Sequence, residues 1–336
     1  MAGLVDEIAA FSSSLEILSR TSFRLDGVTH SSVPEAEEGA TDDPSLAPGA
    51  RSVLADILYA TLHCRRDQET SPNEESAWDA GDEREFMREL SNANSGSGAW
   101  RPGAVVRSVA ADGGMIVEHS GLAMWIDAEE FIPDGGNIVP GSAGRVKFPN
   151  EYRALFPGHY VMLGDLDGDL GGETVRIYWH VTADGAAPLV SAISRTFNEA
   201  GVGFHFKVLS DPSGYRRTDS AVLYLASDDH AEAAPLVEAV RDSVCNFLRS
   251  PVSAFALALA PGLSLAEDPG SHVSFGEHRA AVVADALCMR PGLPRSREAI
   301  ALGLRAIGYD PERFHMNPWS RHSYRAFERV GGSKRN

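Results

Sequence analysis

Residues 203–226 read GFHFKVLSDPSGYRRTDSAVLYLA. Two β-rich runs, 203–209 and 220–226, flank a loop containing proline and glycine, the pattern of paired strands. Alternate side chains of a strand share a face. In 203–209 one face is Phe204, Phe206 and Val208, and the other carries His205 and Lys207. In 220–226, Ser220, Val222 and Tyr224 oppose Ala221, Leu223 and Leu225. Upstream, VRIYWHV (175–181) repeats the division, with Val175, Ile177, Trp179 and Val181 opposite Arg176, Tyr178 and His180. Three neighbouring strands with their apolar faces on one core would therefore gather Arg176, Tyr178, His180, His205, Lys207 and Tyr224 on the other face, with almost no carboxylate. A solvated sheet surface shows a similar mixture, so this pattern alone does not make a site.

Helices surround these strands. Leu189, Ile193 and Phe197 repeat every four residues, Pro188 suits a first turn, and Gly201 suits the stop. Further helices are expected at about 231–249, just after Ser274-Phe275-Gly276, and at about 296–307. VVRSVAADGGMIVEH (105–119) reads as a hairpin around its D-G-G turn. Near the N-terminus, Leu4, Ile8, Phe11, Leu15 and Leu18 predict a helix over 2–18, and Val53, Ile57 and Leu58 a second near 51–64. A Pro-, Ser- and acid-rich loop separates them, and a short helix at 82–91 precedes the linker-like SNANSGSG. Strands and helices without a regular βαβα alternation indicate an α+β class, a mixed or antiparallel sheet with flanking helices. The expected division is 1–100, acidic and mainly helical, and 101–336, the α+β domain.

The chain has 336 residues, 47 acidic and 30 basic side chains and a formal charge of -17. That balance argues against a nucleic-acid binder, which must neutralise phosphates. No apolar run approaches a membrane span. The start, MAGLVDEIAAF, has acids where a secretory signal carries positive charge, so a cytoplasmic location is expected. Cys64, Cys245 and Cys288 are widely spaced and odd in number, which suits reduced, buried thiols. Residues 1–100 hold 19 acids and 7 bases, a net of -12, whereas 271–336 hold 6 acids and 11 bases, a net of +5.

Only Lys147, Lys207 and Lys334 of the 30 basic residues are lysines. Lysine, unlike arginine, can lose its proton near neutral pH when desolvated or placed beside other cations. Lys207, in mid-strand, is thus a candidate general base and His180 the matching acid, with His205 a competitor for that role. Arg216 and Arg217 in the loop and Arg279 near a helix start are candidate phosphate donors. Asp165, Asp167 and Asp169 begin like a calcium loop, but Leu170 and Arg176 stand where that loop needs glycine and glutamate. No nucleophile elbow, Walker loop, dinucleotide fingerprint or zincin motif is present.

Together, GFHFKVL, YRRTDSAVLYL and PGLSLAEDPGSHVSFGEHR (261–279), with FPGHY (156–160), YWHV (178–181) and NPWSRHSY (317–324), resemble the HopA effector-like family. The resemblance spans about 150–325. It implies kinship with proteins encoded beside kinase-like partners in thioamitide and class V lanthipeptide clusters. There the kinase phosphorylates Ser or Thr of a precursor peptide and the lyase eliminates phosphate. The related phosphothreonine lyases use a lysine base, a histidine acid and arginines on phosphate. On this chain the resemblance places the acid at His180, the base at Lys207, the arginines at Arg217 or Arg216 and Arg279, and Tyr224 on the next strand. Where those lyases carry Lys-x-His, this chain has Tyr178-x-His180, and Arg176 is the candidate replacement cation. The implied partners are a phosphorylated precursor peptide and a kinase-like protein, with no metal or organic cofactor. The competing reading is a non-catalytic protein-binding module of the same fold.

Overall fold

In the computed structural model, which describes residues 3–32, 46–65, 80–166, 170, 172–270, 274–288 and 296–330, the strands named above lie side by side. The N-terminal part comprises helix α1 (Leu4–Ser12), a small antiparallel sheet of β1 (Glu16–Ser19), β2 (Ser22–Leu25) and β3 (Val28–Ser31), and helices α2 (Pro48–Leu58) and α3 (Ala80–Ala93). A π-helical turn, Tyr59–His63, continues α2. The acidic loops at 33–45 and 66–79 lie outside the described residues.

Next comes a five-stranded antiparallel sheet of β4 (Ala99–Val109), β5 (Met115–His119), β6 (Leu122–Ile126), β7 (Phe131–Pro133) and β8 (Ala143–Phe148), in the order β6-β5-β4-β8-β7. Its core is its own, built on Ala104, Val106, Val117 and Val146. The D-G-G hairpin is its β4–β5 turn, with Val109 opposite Met115 and Gly113 at φ +93.

The central sheet contains β9 (Glu151–Tyr152), β10 (His159–Leu163), β11 (Thr174–Trp179), β12 (His205–Leu209), β13 (Ala221–Ala226), β14 (Leu257–Ala260) and β15 (Leu263–Glu267). The order is β14-β15-β11-β13-β12-β10-β9, and every pairing is antiparallel. Helices α4 (Ala183–Ala200) and α5 (His230–Val244) lie on one face, where Leu189, Ile193, Phe197 and Val237 meet Val175, Ile177, Trp179, Phe206 and Leu223. The fold is α+β with a mainly helical N-terminal region.

The opposite face is covered as well, which the strand alternation did not foretell. Helix α6 (Phe275–Cys288), with α2 and the π-turn, packs Leu54, Leu58, Leu62, Phe275 and Val283 onto Tyr178, Val222 and Ala266. Helix α7 (Arg297–Ala306) closes this layer through Ile300 and Leu304. The change of composition at residue 100 is therefore not a division in packing, because the N-terminal helices share a core with the C-terminal ones. The cover is tight over Tyr178, Val222 and Ala266, whereas His205 and Lys207 of β12 on the same face stay half-buried. Among the described residues no helix is long and apolar enough to cross a membrane. None of the three cysteines is in a disulfide; Cys64 and Cys288 are buried, whereas Cys245 is exposed, against the expectation of three buried thiols.

Candidate functional site

Register fixes where the polar side chains of the sheet stand. Lys207 lies opposite Val222 of β13 and Val161 of β10, and Val222 lies opposite Tyr178 of β11. His205 pairs with Tyr224, and Tyr224 with Arg176. Lys207 and His180 thus share a face two strands apart, offset by about 10 Å across the sheet and about 7 Å along it. Lys207 is half-buried and makes no hydrogen bond or ion pair among the described residues. His180 is buried, and its Nδ1–H donates to the Pro251 carbonyl at 2.9 Å. That bond fixes the ring and turns Nε2 away from Pro251.

His159 opens β10 on the same face as Lys207. Its Nδ1–H donates to the Pro157 carbonyl at 3.0 Å. Burial, and after it the charge of Lys207, push its pKa below the usual histidine value, with Arg217 adding to the effect and the Pro157 carbonyl opposing it. His159 thus lies within electrostatic reach of Lys207 and Arg217, near the end of the sheet where the β12–β13 loop emerges.

Arg217 in that loop is held by several partners. A 3-10 turn, Pro212–Arg216, carries the chain to it, with Asp211 accepting from the Ser213 N–H at 2.8 Å and Tyr215 donating to the Leu209 carbonyl at 2.7 Å. Arg217 Nε and Nη2 donate to the two oxygens of Asp219 at 2.5 and 2.7 Å. Nη2 also donates to Tyr59 Oη at 2.8 Å and to Cys64 Sγ at 3.3 Å. Behind them His63 stacks on Tyr59, with ring centroids 5.4 Å apart, and meets Tyr178 edge-on. His63 Nε2 is 3.6 Å from Asp219 Oδ2 and its Nδ1 is 2.8 Å from Ser253 Oγ. The carboxylate selects the Nε2–H tautomer, for which the Ser253 hydroxyl donates to Nδ1. Burial alone would raise the Asp219 carboxyl, but bonds from His63 and Arg217 hold it well below the usual range. Burial would lower the Arg217 guanidinium, but Asp219 raises it. Burial first, then Asp219, raises the Tyr59 phenol, which therefore stays protonated.

The other expected phosphate donors are engaged elsewhere. Arg176 forks onto Asp268 at 2.9 and 2.6 Å, under the Tyr224 ring at 5.3 Å, so the face is not free of carboxylates. Arg279 is 0% exposed. It donates to the carbonyls of Phe314 and Met316 at 2.9 Å each, between the rings of Phe275, Tyr309 and Phe314. Burial lowers its pKa, and no anion can reach it without opening the core. Tyr178, 3% exposed, is likewise a core residue. His205 and Tyr224 are half-buried and Arg216 is exposed beside Arg217. Asp167 and Asp169 lie outside the described residues, while Asp165 Oδ1 accepts from the N–H groups of Ser97 and Gly98 at 2.6 and 2.8 Å. Among the described residues no group of three or more His, Cys, Asp or Glu side chains is placed to hold a metal.

Sequence reasoning did not find Tyr59, His63, Asp219 and Ser253. Tyr59 and His63 are one helical turn apart at the end of an apolar helix, a spacing that puts both rings on one face. That was the available signal, but it says nothing of a partner about 155 residues later.

Residues 151–316 match the HopA1 effector protein family. No curated protein matches the chain. Among solved structures, an effector protein from Pseudomonas syringae pv. tomato strain DC3000 is similar at 20% identity and a TM-score of 0.43, covering 81% of this chain and 92% of that one. An effector protein from Pseudomonas syringae pv. syringae strain 61 is similar at 18% identity and a TM-score of 0.46, covering 79% and 94%. All strands of the central sheet fall within the matched span, and over residues 151–316 this chain is similar to the HopA1 effector protein family.

Proposed function

We propose that the protein is a phosphoserine/phosphothreonine lyase acting on a kinase-phosphorylated precursor peptide, as in lanthipeptide or thioamitide biosynthesis. The observation that carries this reading is Lys207: mid-strand, half-buried, without a carboxylate partner among the described residues, and on one face with His180. Nζ of neutral Lys207 takes the Cα proton of the phosphorylated residue. The released electron pair forms the Cα–Cβ double bond as the Cβ–O bond breaks, and His180 protonates the departing phosphate. The products are phosphate and dehydroalanine or dehydrobutyrine. Each positioned proton transfer is worth about 10²–10⁴ in rate. The phosphate, carrying about -1.5 to -2 charges, is met by Arg217, with exposed Arg216 beside it. Arg176 and Arg279, held by Asp268 and by buried carbonyls, serve the fold instead.

Mixing the protein with its phosphorylated peptide tests the proposal by mass spectrometry. Loss of phosphoric acid from the peptide supports the lyase. A hydrolysed product, or binding without product, contradicts it, and the second outcome favours the non-catalytic binding module.

A further inference from the structure

The matched family region begins at residue 151, yet Arg217 is held by residues from far upstream. Three segments converge on its guanidinium: Tyr59, His63 and Cys64 from the end of α2, Asp219 from the β12–β13 loop, and Ser253 behind His63. The backbone ties the segments together as well. The Thr218 N–H donates to the Cys64 carbonyl at 3.0 Å, the Thr218 hydroxyl donates to the His63 carbonyl, and the Ala254 N–H donates to the Leu62 carbonyl at 2.9 Å.

An arginine with five N–H donors can be aimed by occupying some of them. Asp219 and Tyr59 take up Nε and Nη2, whereas Nη1 donates to no described residue. The side chain keeps 18% of its surface exposed. Rotation of the guanidinium would break the carboxylate fork and the phenol bond together. The tilt of Tyr59 is in turn set by its stacking on His63, which Asp219 and Ser253 anchor from either side.

We propose that Tyr59, with His63 and Asp219 behind it, is a positioning residue that holds the free Nη1 edge of Arg217 toward the substrate phosphate. This rests on the lyase reading above. The N-terminal region is thereby part of the site, supplying one wall from outside the family-matched span.

The test compares full-length wild type with Tyr59→Phe, which keeps the ring stacking and removes only the phenol oxygen. Elimination is followed against phosphopeptide concentration, and binding of inorganic phosphate is titrated separately. Loss of one bond to a charged donor is expected to raise KM about 10-fold and weaken phosphate binding in parallel. The expected kcat stays within about twofold, because the base and acid are untouched. Asp219→Asn, measured the same way at a temperature where it is folded, is expected to show the same split with a larger KM change. A wild type that neither binds phosphate nor eliminates overturns the lyase reading and this inference with it. An active wild type whose Tyr59→Phe variant keeps its KM, or loses kcat alone, overturns the inference and leaves the lyase reading standing.

Discussion

Lys207 and Arg279 show how much a residue's role depends on what surrounds it. Both were legible as cations, but only the register tells them apart: Lys207 stands where two valines flank it, and Arg279 is spent on two carbonyls. Lys207→Ala is expected to abolish elimination while phosphopeptide binding survives, as single-turnover kinetics and a binding titration would show. Arg279→Met is expected to leave the Phe314 and Met316 carbonyls unpaired and to cost about 3 kcal/mol in urea unfolding, with KM of the folded fraction unchanged. Its neighbour His315 adds a pH dependence. Burial, followed by the charges of Arg313 and Arg279, holds His315 down at about 4. Between pH 4 and the ordinary histidine value of about 6.5, the unfolded chain binds a proton that the folded chain does not, so stability falls as pH falls. Urea midpoints measured across that window should decline on acidification, and His315→Gln should flatten the slope.

Individual elements were readable where local chemistry decides them and misread where it competes with helical periodicity. The expected helix over 2–18 stops at Ser12 and becomes β1 at Glu16. The helix runs out in Ser12, Ser13 and Ser14, and Ser12 and Ser13 turn their hydroxyls back onto the carbonyls of Ile8 and Ala10 at 2.8 and 2.7 Å, an alternative to continuing the helix. Pro188 lies inside α4 rather than in its first turn, because the helix already starts at Ala183. Gly201 closes that helix in the left-handed region at φ +66, as its position foretold. The docking of α6 on the π-turn left no trace in the pattern, since it depends on a missing side chain. A Cβ at Gly276 would lie 2.3 Å from the His63 ring. Gly276→Ala should therefore push His63 out of its seat, lower the melting temperature and raise KM, since His63 supports Tyr59. An alanine variant with unchanged stability and KM would contradict the tight approach of α6.

For the whole molecule, strands and helices without a regular βαβα alternation placed the chain in the α+β class, and period-two alternation over Val175–Val181 and its neighbours was a strong local signal for the strands. The covering of their polar face was not legible. It depends on residues 46–65 reaching across to α6, a long-range contact that no local pattern encodes. The acidic charge of residues 1–100 likewise suggested a separate unit, whereas Leu54, Leu58 and Leu62 complete the core beneath Tyr178 and Val222. Removal of residues 1–65 should thus expose an apolar sheet face, and the truncated chain is expected to bind a hydrophobic dye and lose its cooperative melt. The lyase claim itself is best tested on the proton that Lys207 is proposed to remove. A phosphoserine peptide deuterated at Cα, incubated with the full-length protein, should lose phosphoric acid and the deuterium together, with slower turnover than its protium twin. Phosphate release with the deuterium retained and a hydroxyl on Cβ would contradict elimination.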